Sequence, residues 1–361
     1  VAADVDPQVY PARPKFTVDG QDQAGLADGL LAMQVEETSA GLYRCEATFA
    51  NWGPKDGTSG FLYFDRQLLD FGKKLRIEAG GGVGAGQIFE GRVTALEGRF
   101  LRERPHELQL FAEDRLQDLR MTRRTRTFED ISDSDLFQQV ASQHGLTADV
   151  DVTGPTHKVL AQLNQSDLAF LRERARAVDA ELWVAGDKLS VKARSRRNTG
   201  DVTVTLGKGL LECSVNADLA GQVSGFSVTG WDTSSKEAIS YRATDTAVSG
   251  ELNGDDGGSK MLTSALGTRD QQIVHLVPFT STEAQALAEA QYRRSARRFV
   301  TMTGLAEGDA RLRVGAKLTL AGLGPLFDGK YYITRARQIF DARTGFRTQF
   351  SAERPGIGKA S

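Results

Sequence analysis

Cysteine is almost missing from this chain: Cys45 and Cys213 are the only two. Thiols so far apart in sequence make no disulfide framework, and a reducing compartment is the expectation. Histidine is scarce too, with four residues, His106, His144, His157 and His275. No two stand at metal-ligand spacing and no cysteine neighbours one, so no metal site is expected. A lone histidine of this kind reads as a surface or cap residue. Charge of one sign is also lacking: the net charge is −2, which leaves no overall pull towards nucleic acid or an acidic membrane. No run approaches the roughly 18 apolar residues that a bilayer span needs. The first residues, VAADVDPQVYPARPKF, hold no apolar signal-peptide core and no initial Met.

Catalytic signatures are wanting as well. There is no Gly-x-Ser-x-Gly elbow. The run Ala79–Gly86 (AGGGVGAG) fits a loose dinucleotide fingerprint through Gly80, Gly82 and Ala85. That fingerprint needs a helix next, to hold the pyrophosphate. Ile88–Leu96 instead alternates as a strand, and no Lys-Ser/Thr follows, so the run reads as a hairpin turn. Acidic residues are plentiful but scattered, and two of them would act as a hydrolase pair only if folding brought them together. The reading is therefore of a non-enzyme with no catalytic residue and no cofactor.

What the chain does have is glycine, 38 residues of it, and long stretches of period-two patterning. Its 361 residues suit about two to three domains. Residues 1–14 carry Pro7, Pro11 and Pro14 and read as an extended arm. From 15 to 125 the pattern is β. Leu75, Ile77 and Ala79 alternate with polar residues, as do Phe89, Gly91, Val93 and Ala95, and then Leu108, Leu110 and Ala112. Strands with one buried face, separated by glycine-rich turns, favour a barrel or a sandwich.

Residues 126–197 change character. Ser132 or Ser134 can cap a helix that buries Leu136, Phe137, Val140 and Ala141 and stops at Gly145. A strand-like piece follows, then a second polar start, Gln162-Leu-Asn-Gln-Ser-Asp167. It opens a helix whose stripe is Leu168, Leu171, Ala175 and Val178, with Phe170 on the same apolar side. Glu181–Leu189 reads as a hairpin. From 198 to 355 the β pattern returns. Val202, Val204 and Leu206 alternate, the cleanest alternation is Leu312, Val314, Ala316, Leu318 and Leu320, and Phe346, Thr348, Phe350 and Ala352 make the last strand. One helix, about 281–299, interrupts this half, with Thr280 and Glu283 at capping-box spacing. Glu251–Lys260 (ELNGDDGGSK) is too polar and glycine-rich to pack and reads as a mobile loop. Residues 356–361 read as a tail or linker. The fold class is thus α+β, mainly β.

Two further features need a reading. In the basic run Arg115–Thr127, residues Arg120, Arg123, Arg124 and Arg126 suit phosphate contacts. Glu113 and Asp114 just upstream, Asp118 inside the run and the lack of interleaved aromatics favour a solvated edge, or ion pairs with Glu129–Asp135, over nucleic-acid binding. Trp52, Trp183 and Trp231 lie far apart, where core packing is the ordinary role; a glycan-binding module would need clustered exposed aromatics.

The hairpin Leu75–Leu96, followed by RTF, SDSDL, HGL and QLNQSDLAFLRERARAVDAEL over residues 75–190, resembles the late control protein D family of contractile phage tails. It is also similar to the N-terminal hub part of VgrG spike proteins. The resemblance implies two related β-barrel tube domains with an inserted α/β segment. It implies a homotrimeric baseplate hub that joins a sixfold inner tail tube protein to a threefold central spike protein of OB-fold and β-helix type, among other baseplate proteins. Gln162, Asn164, Ser166, Asp167, Phe170 and Leu171 would be its structural motif, with Asn164–Asp167 as a helix cap. Such a protein would be assembled in the cytoplasm of the producing cell and end in the particle. No spike portion follows in this chain, so the spike would be a separate protein or lie beyond residue 361. A tail-tip cell-wall hydrolase and a glycan-binding β module are the competing readings.

Overall fold

A computed structural model describes residues 13–55, 57–79, 84–100, 102–233 and 235–359. Pro7 and Pro11 of the expected arm, and Gly80 and Gly82 of the glycine run, lie outside the described residues. Strands β1 (Lys15–Val18) and β2 (Gln21–Asp22) lead to helix α1 (Ala24–Gly29). Then come β3 (Leu30–Thr38), β4 (Arg44–Ala50), β5 (Trp52–Lys55), β6 (Thr58–Phe61), β7 (Lys74–Ala79), β8 (Gly86–Arg99) and β9 (Glu107–Glu113). The middle of the chain holds α2 (Leu116–Arg120), β10 (Arg123–Ser132), α3 (Asp133–Gln143), β11 (Thr147–Asp151), β12 (Thr156–Ser166), α4 (Asp167–Ala177), β13 (Ala180–Ala185) and β14 (Lys188–Ala193). Strands β15 (Asp201–Leu206), β16 (Gly209–Ala217), β17 (Gly225–Asp232), β18 (Glu237–Ala243) and β19 (Asp256–Gly257) precede α5 (Gly258–Leu266). The rest is β20 (Asp270–Ile273), α6 (Ser281–Ala296), β21 (Val300–Glu307), β22 (Lys317–Ala321), β23 (Gly329–Asp341), β24 (Gly345–Arg354) and β25 (Gly356–Ile357).

Thirteen strands join edge to edge in the order β2-β1-β7-β8-β9-β4-β3-β23-β22-β15-β16-β21-β24, and β23 also pairs with β24. The last six therefore close into a barrel, which removes their edges. Strand β23 is shared. Its residues Gly329–Tyr332 pair with Lys317–Leu320 of β22, whereas Arg335–Asp341 pair with β3. A register shift between Ile333 and Arg335 against β24 accompanies the hand-over, as bulges do where a strand bends.

Four buried apolar clusters follow from the alternation. The N-terminal strands bury Phe16, Phe49, Ile77 and Leu110, joined by Phe340 and Phe346 from the shared β23 and β24. The α/β segment buries Leu136, Phe137, Val140, Leu171, Leu189 and Val191. The closed barrel holds Val300, Leu318, Leu320, Ile333 and Phe350. A fourth cluster lies where α6 covers the sheet β18-β17-β20, with Val228, Ile239, Ala284, Ala288 and Tyr292.

Several expectations are corrected here. Glu251–Lys260 is not a mobile loop: Glu251 ends a 3-10 turn, Asp256–Gly257 forms β19 and Gly258 starts α5. The segment is polar because Glu251 ion-pairs with Arg297. Residues 356–359 are no free tail, since Gly356–Ile357 pair with Asp256–Gly257. The helix read as 281–299 ends at Ala296, and α5 is a second helix in that half. Of the run Leu312–Leu320 only Lys317–Ala321 is strand; Gly315 has φ +90°, so Leu312 and Val314 are buried from a turn.

Candidate functional site

The α/β segment is built from a unit that occurs twice: a strand, a Ser-Asp pair and a helix. Strand β10 runs into Ser132 and Asp133 and then α3; β12 runs into Ser166 and Asp167 and then α4. Each serine hydroxyl accepts from the backbone N–H three residues on, Asp135 at 3.1 Å and Ala169 at 3.2 Å, which satisfies an orphan donor of the first turn. The strands pair antiparallel, Arg123 opposite Ser166 and Ser132 opposite Thr156. Each aspartate therefore sits beside the beginning of the other strand.

Both aspartates are almost wholly buried, at 1% exposure. Asp167 accepts from Arg124 Nε at 3.2 Å, Arg126 Nη2 at 2.8 Å and Gln162 Nε2 at 2.9 Å, and its Oδ2 lies 2.8 Å from His144 Nε2. Burial pushes its carboxyl up, but the hydrogen bonds from His144 and Gln162 and the arginine charges outweigh that and hold it below the usual range. Asp133 accepts from Arg174 Nε at 2.7 Å and Nη2 at 3.0 Å, and His157 Nε2 lies 3.1 Å away. Here too burial works upward, and His157 and Arg174 leave the carboxyl lowered. On the other side of the ring, His157 Nδ1 is 3.4 Å from Glu283 Oε1 of α6. Burial depresses the imidazole, and the hydrogen bonds to Asp133 and Glu283 more than reverse it, against the opposing Arg174 charge.

The residues singled out in the sequence divide. Gln162, wholly buried, bridges Arg126, Asp167 and the Gln165 carbonyl. Phe170 stacks on Phe128 with centroids 5.9 Å apart, and Leu171 is fully buried. Ser166 is the cap of α4. Asn164 caps nothing: it has φ +48°, its N–H donates to Thr125 Oγ1 and its carbonyl accepts from Arg123. The Asn164–Asp167 cap is thereby corrected to Ser166 alone, with Asp167 turned to side-chain partners. The basic run pairs with Glu113, Asp167 and Asp187, not with Glu129–Asp135. At α6, Thr280 accepts from the Glu283 N–H, but Glu283 turns back to the Phe279 N–H. His157 is buried at 5% exposure, against its reading as a surface residue. Asp133, His157 and Arg174 were missed because their partners lie tens of residues apart.

A second set of ion-paired arginines, Arg197 and Arg297 buried and Arg313 partly so, stands where the clusters meet. Arg197, at 2% exposure, donates to Glu181 at 2.9 Å and Tyr43 Oη at 2.7 Å and lies over the Trp183 ring at 4.2 Å. Arg297 donates to both oxygens of Asp179, at 2.6 and 2.8 Å, and to Glu251. Arg313 pairs with Glu37, tying the turn before β22 to β3. Removing a partner of Arg197 or Arg297 would strand a buried charge.

Trp52 and Trp231 are exposed, contrary to the core role expected of them. Trp52 joins Phe61, Phe64, Phe100 and His106 in one aromatic cluster, with centroids 4.9 to 6.1 Å apart. Among the described residues no group of three or more His, Cys, Asp or Glu is placed to hold a metal ion, and no helix is long and apolar enough to cross a membrane.

This architecture is shared with known tail proteins. The 43 kDa tail protein of prophage MuSo2 from Shewanella oneidensis superposes with a TM-score of 0.69 at 13% identity, over 95% of this chain and 98% of that one. A tail protein from Neisseria meningitidis MC58 gives 0.67 at 12% identity, over 97% and 98%. An Escherichia coli component of the type VI secretion system gives 0.56 at 10% identity, over 92% and 76%. At these identities the likeness establishes the fold. No curated protein matches in sequence. Residues 54–341 match the family profile described as Alg8 N-terminal domain, and the chain belongs to that family.

Proposed function

We propose that this chain is a structural hub of a contractile tail or injection particle: a homotrimeric ring that joins a sixfold inner tube to a threefold spike. The observation that carries this is the end-to-end likeness to tail proteins, 95% of this chain over 98% of the Shewanella oneidensis protein. The units would be 15–125, 126–197 and 198–355, with two barrel-like parts per chain giving six near-equal faces in a closed trimer. One closed barrel that shares β23 with the neighbouring sheet suits load transfer, because force on either part passes through continuous backbone hydrogen bonds. In this reading the buried Asp133, Asp167, Arg197 and Arg297 sets hold the units in fixed register and do no chemistry. Partners would be the tube protein, the spike protein and other baseplate proteins, with assembly in the producing cell's cytoplasm.

Light scattering after size exclusion tests it. One chain is 39.2 kDa, so a trimer has a mass on the order of 118 kDa by closed-ring symmetry. That mass for the chain alone, or a heavier complex of three chains with the spike protein added, is the expected result; a monomer in both runs overturns the proposal. A glycan-binding module has one observation in its favour, the exposed cluster around Trp52, Phe64 and Phe100. Retention on a glycan array that Trp52→Ala abolishes would favour that reading.

A further inference from the structure

Two clefts border the junction of α4 and α6, and they differ in charge balance. In the larger, about 700 Å³, Arg196, Arg293 and Arg297 face Asp179, Glu251 and Glu289. The smaller, about 420 Å³, lies between α4, α6 and the strand β23 and is lined by seven arginines against Asp179, Glu181 and Glu353. All three of those carboxylates are already paired: Asp179 with Arg297, Glu353 with Arg194, and Glu181 with Arg197. Arg335 is neutralised by Glu36 outside the cleft. Arg172, Arg176, Arg294 and Arg298 then remain without a carboxylate partner among the described residues.

Their hydrogen-bonding capacity is also left over. Arg172 uses Nε and Nη2 on the Ala40 and Gly41 carbonyls. Arg294 reaches the Arg176 carbonyl and the Gln291 side chain. The exposed Arg176 and Arg298 side chains donate to none of the described residues. Burial and then the neighbouring Arg176 lower Arg172, against Asp114; burial lowers Arg294, and Arg176, Arg298 and Arg297 add to it against the opposing Asp179. Four like charges in a concave, partly desolvated site repel one another, and an anion relieves that repulsion. Guanidinium forks match oxyanions bidentately. The lining holds no aromatic ring, so nothing there stacks a nucleobase.

We propose that the cleft between α4, α6 and β23 binds a compact, multiply charged oxyanion of the phosphate type. Such a ligand would bridge α4 to α6 and stiffen the contact between the α/β segment and the α6 unit.

The test is calorimetric titration of the full chain with sodium tripolyphosphate, beside the double variant Arg176→Ala/Arg298→Ala. Neither side chain bonds to the described protein, so folding should survive, which circular dichroism checks. A control, Arg102→Ala/Arg104→Ala, removes two exposed arginines elsewhere. Expected are saturable binding at low salt, at least tenfold weaker affinity in the cleft variant, unchanged affinity in the control, and a ligand-induced rise in Tm for wild type. No binding at millimolar ligand overturns the proposal, as does equal weakening in both variants. A glutamate-rich peptide that binds this cleft more tightly than tripolyphosphate would also overturn it, by assigning the site to an acidic protein partner.

Discussion

The two Ser-Asp helix starts share a local sequence and a cap, yet their carboxylates live differently. Asp133 faces a bidentate Arg174 whose side chain is 14% exposed and a His157 ring that is 4% exposed. Asp167 faces Arg124 and Arg126, 44% and 23% exposed. If Asp133 is lost, a guanidinium and an imidazole remain shut away from water. If Asp167 is lost, Arg124 and Arg126 can turn outward, although the covered Gln162 and His144 also lose their acceptor. Among the described residues the Asp133 set, and not the Asp167 set, reaches another cluster, through Glu283 of α6. An identical cap thus ends in a sealed junction on one side and a half-open one on the other, and the difference comes from what packs over each.

The largest expected effect follows from that contrast. Asp133→Ala should cost about 3–5 kcal/mol, the range for breaking a buried pair, and Asp167→Ala clearly less, both read by urea denaturation. Equal losses would break the comparison. Next come the caps: Ser132→Ala and Ser166→Ala should each cost about 1 kcal/mol, and a marked inequality would mean that one serine does more than cap. Asn164 sharpens the point. Because its φ is +48°, Asn164→Gly should be close to neutral, while Asn164→Ala should lower stability by about 1 kcal/mol through backbone strain. If the glycine variant lost as much as the alanine one, the Asn164 side chain would matter after all.

The smallest effect is a pH dependence. The folded His157 is raised above its ordinary value, so its contribution is complete below about pH 6.5 and is lost as pH rises through the folded value. Asp133, Glu283 and Asp167 are lowered, so theirs is present above about pH 4 and lost as pH falls. Tm should therefore fall on both sides of mildly acidic pH, and His157→Gln should flatten the alkaline limb and soften the acid limb too, because His157 also helps lower Asp133 and Glu283. An alkaline limb unchanged in that variant would remove His157 as its source.

What could be read in the sequence was what neighbours along the chain decide. Alternation placed β7, β8 and β9, because a pleated strand turns successive side chains to opposite faces. Ser132, Thr280 and Gly145 marked helix ends, because caps act within three or four residues. The glycine-rich Glu251–Lys260 misled for a complementary reason: its order comes from Arg297 and from β25, each far off in sequence. Exposure of Trp52 was likewise invisible, since its ring partners Phe61 and His106 come from separate parts of the chain.

The amino-acid order by itself determined the mainly β class and the two helices of the α/β segment with their polar starts, all set by local sterics and hydrogen bonding. Only the tertiary structure decided that β23 would serve two sheets, that Asp133 and Asp167 would meet partners up to 43 residues away, and that four arginines with no carboxylate partner among the described residues would share one cleft. Those outcomes depend on chain segments meeting across the fold, where burial turns a scattered charge into an obligatory pair or an unsatisfied cluster.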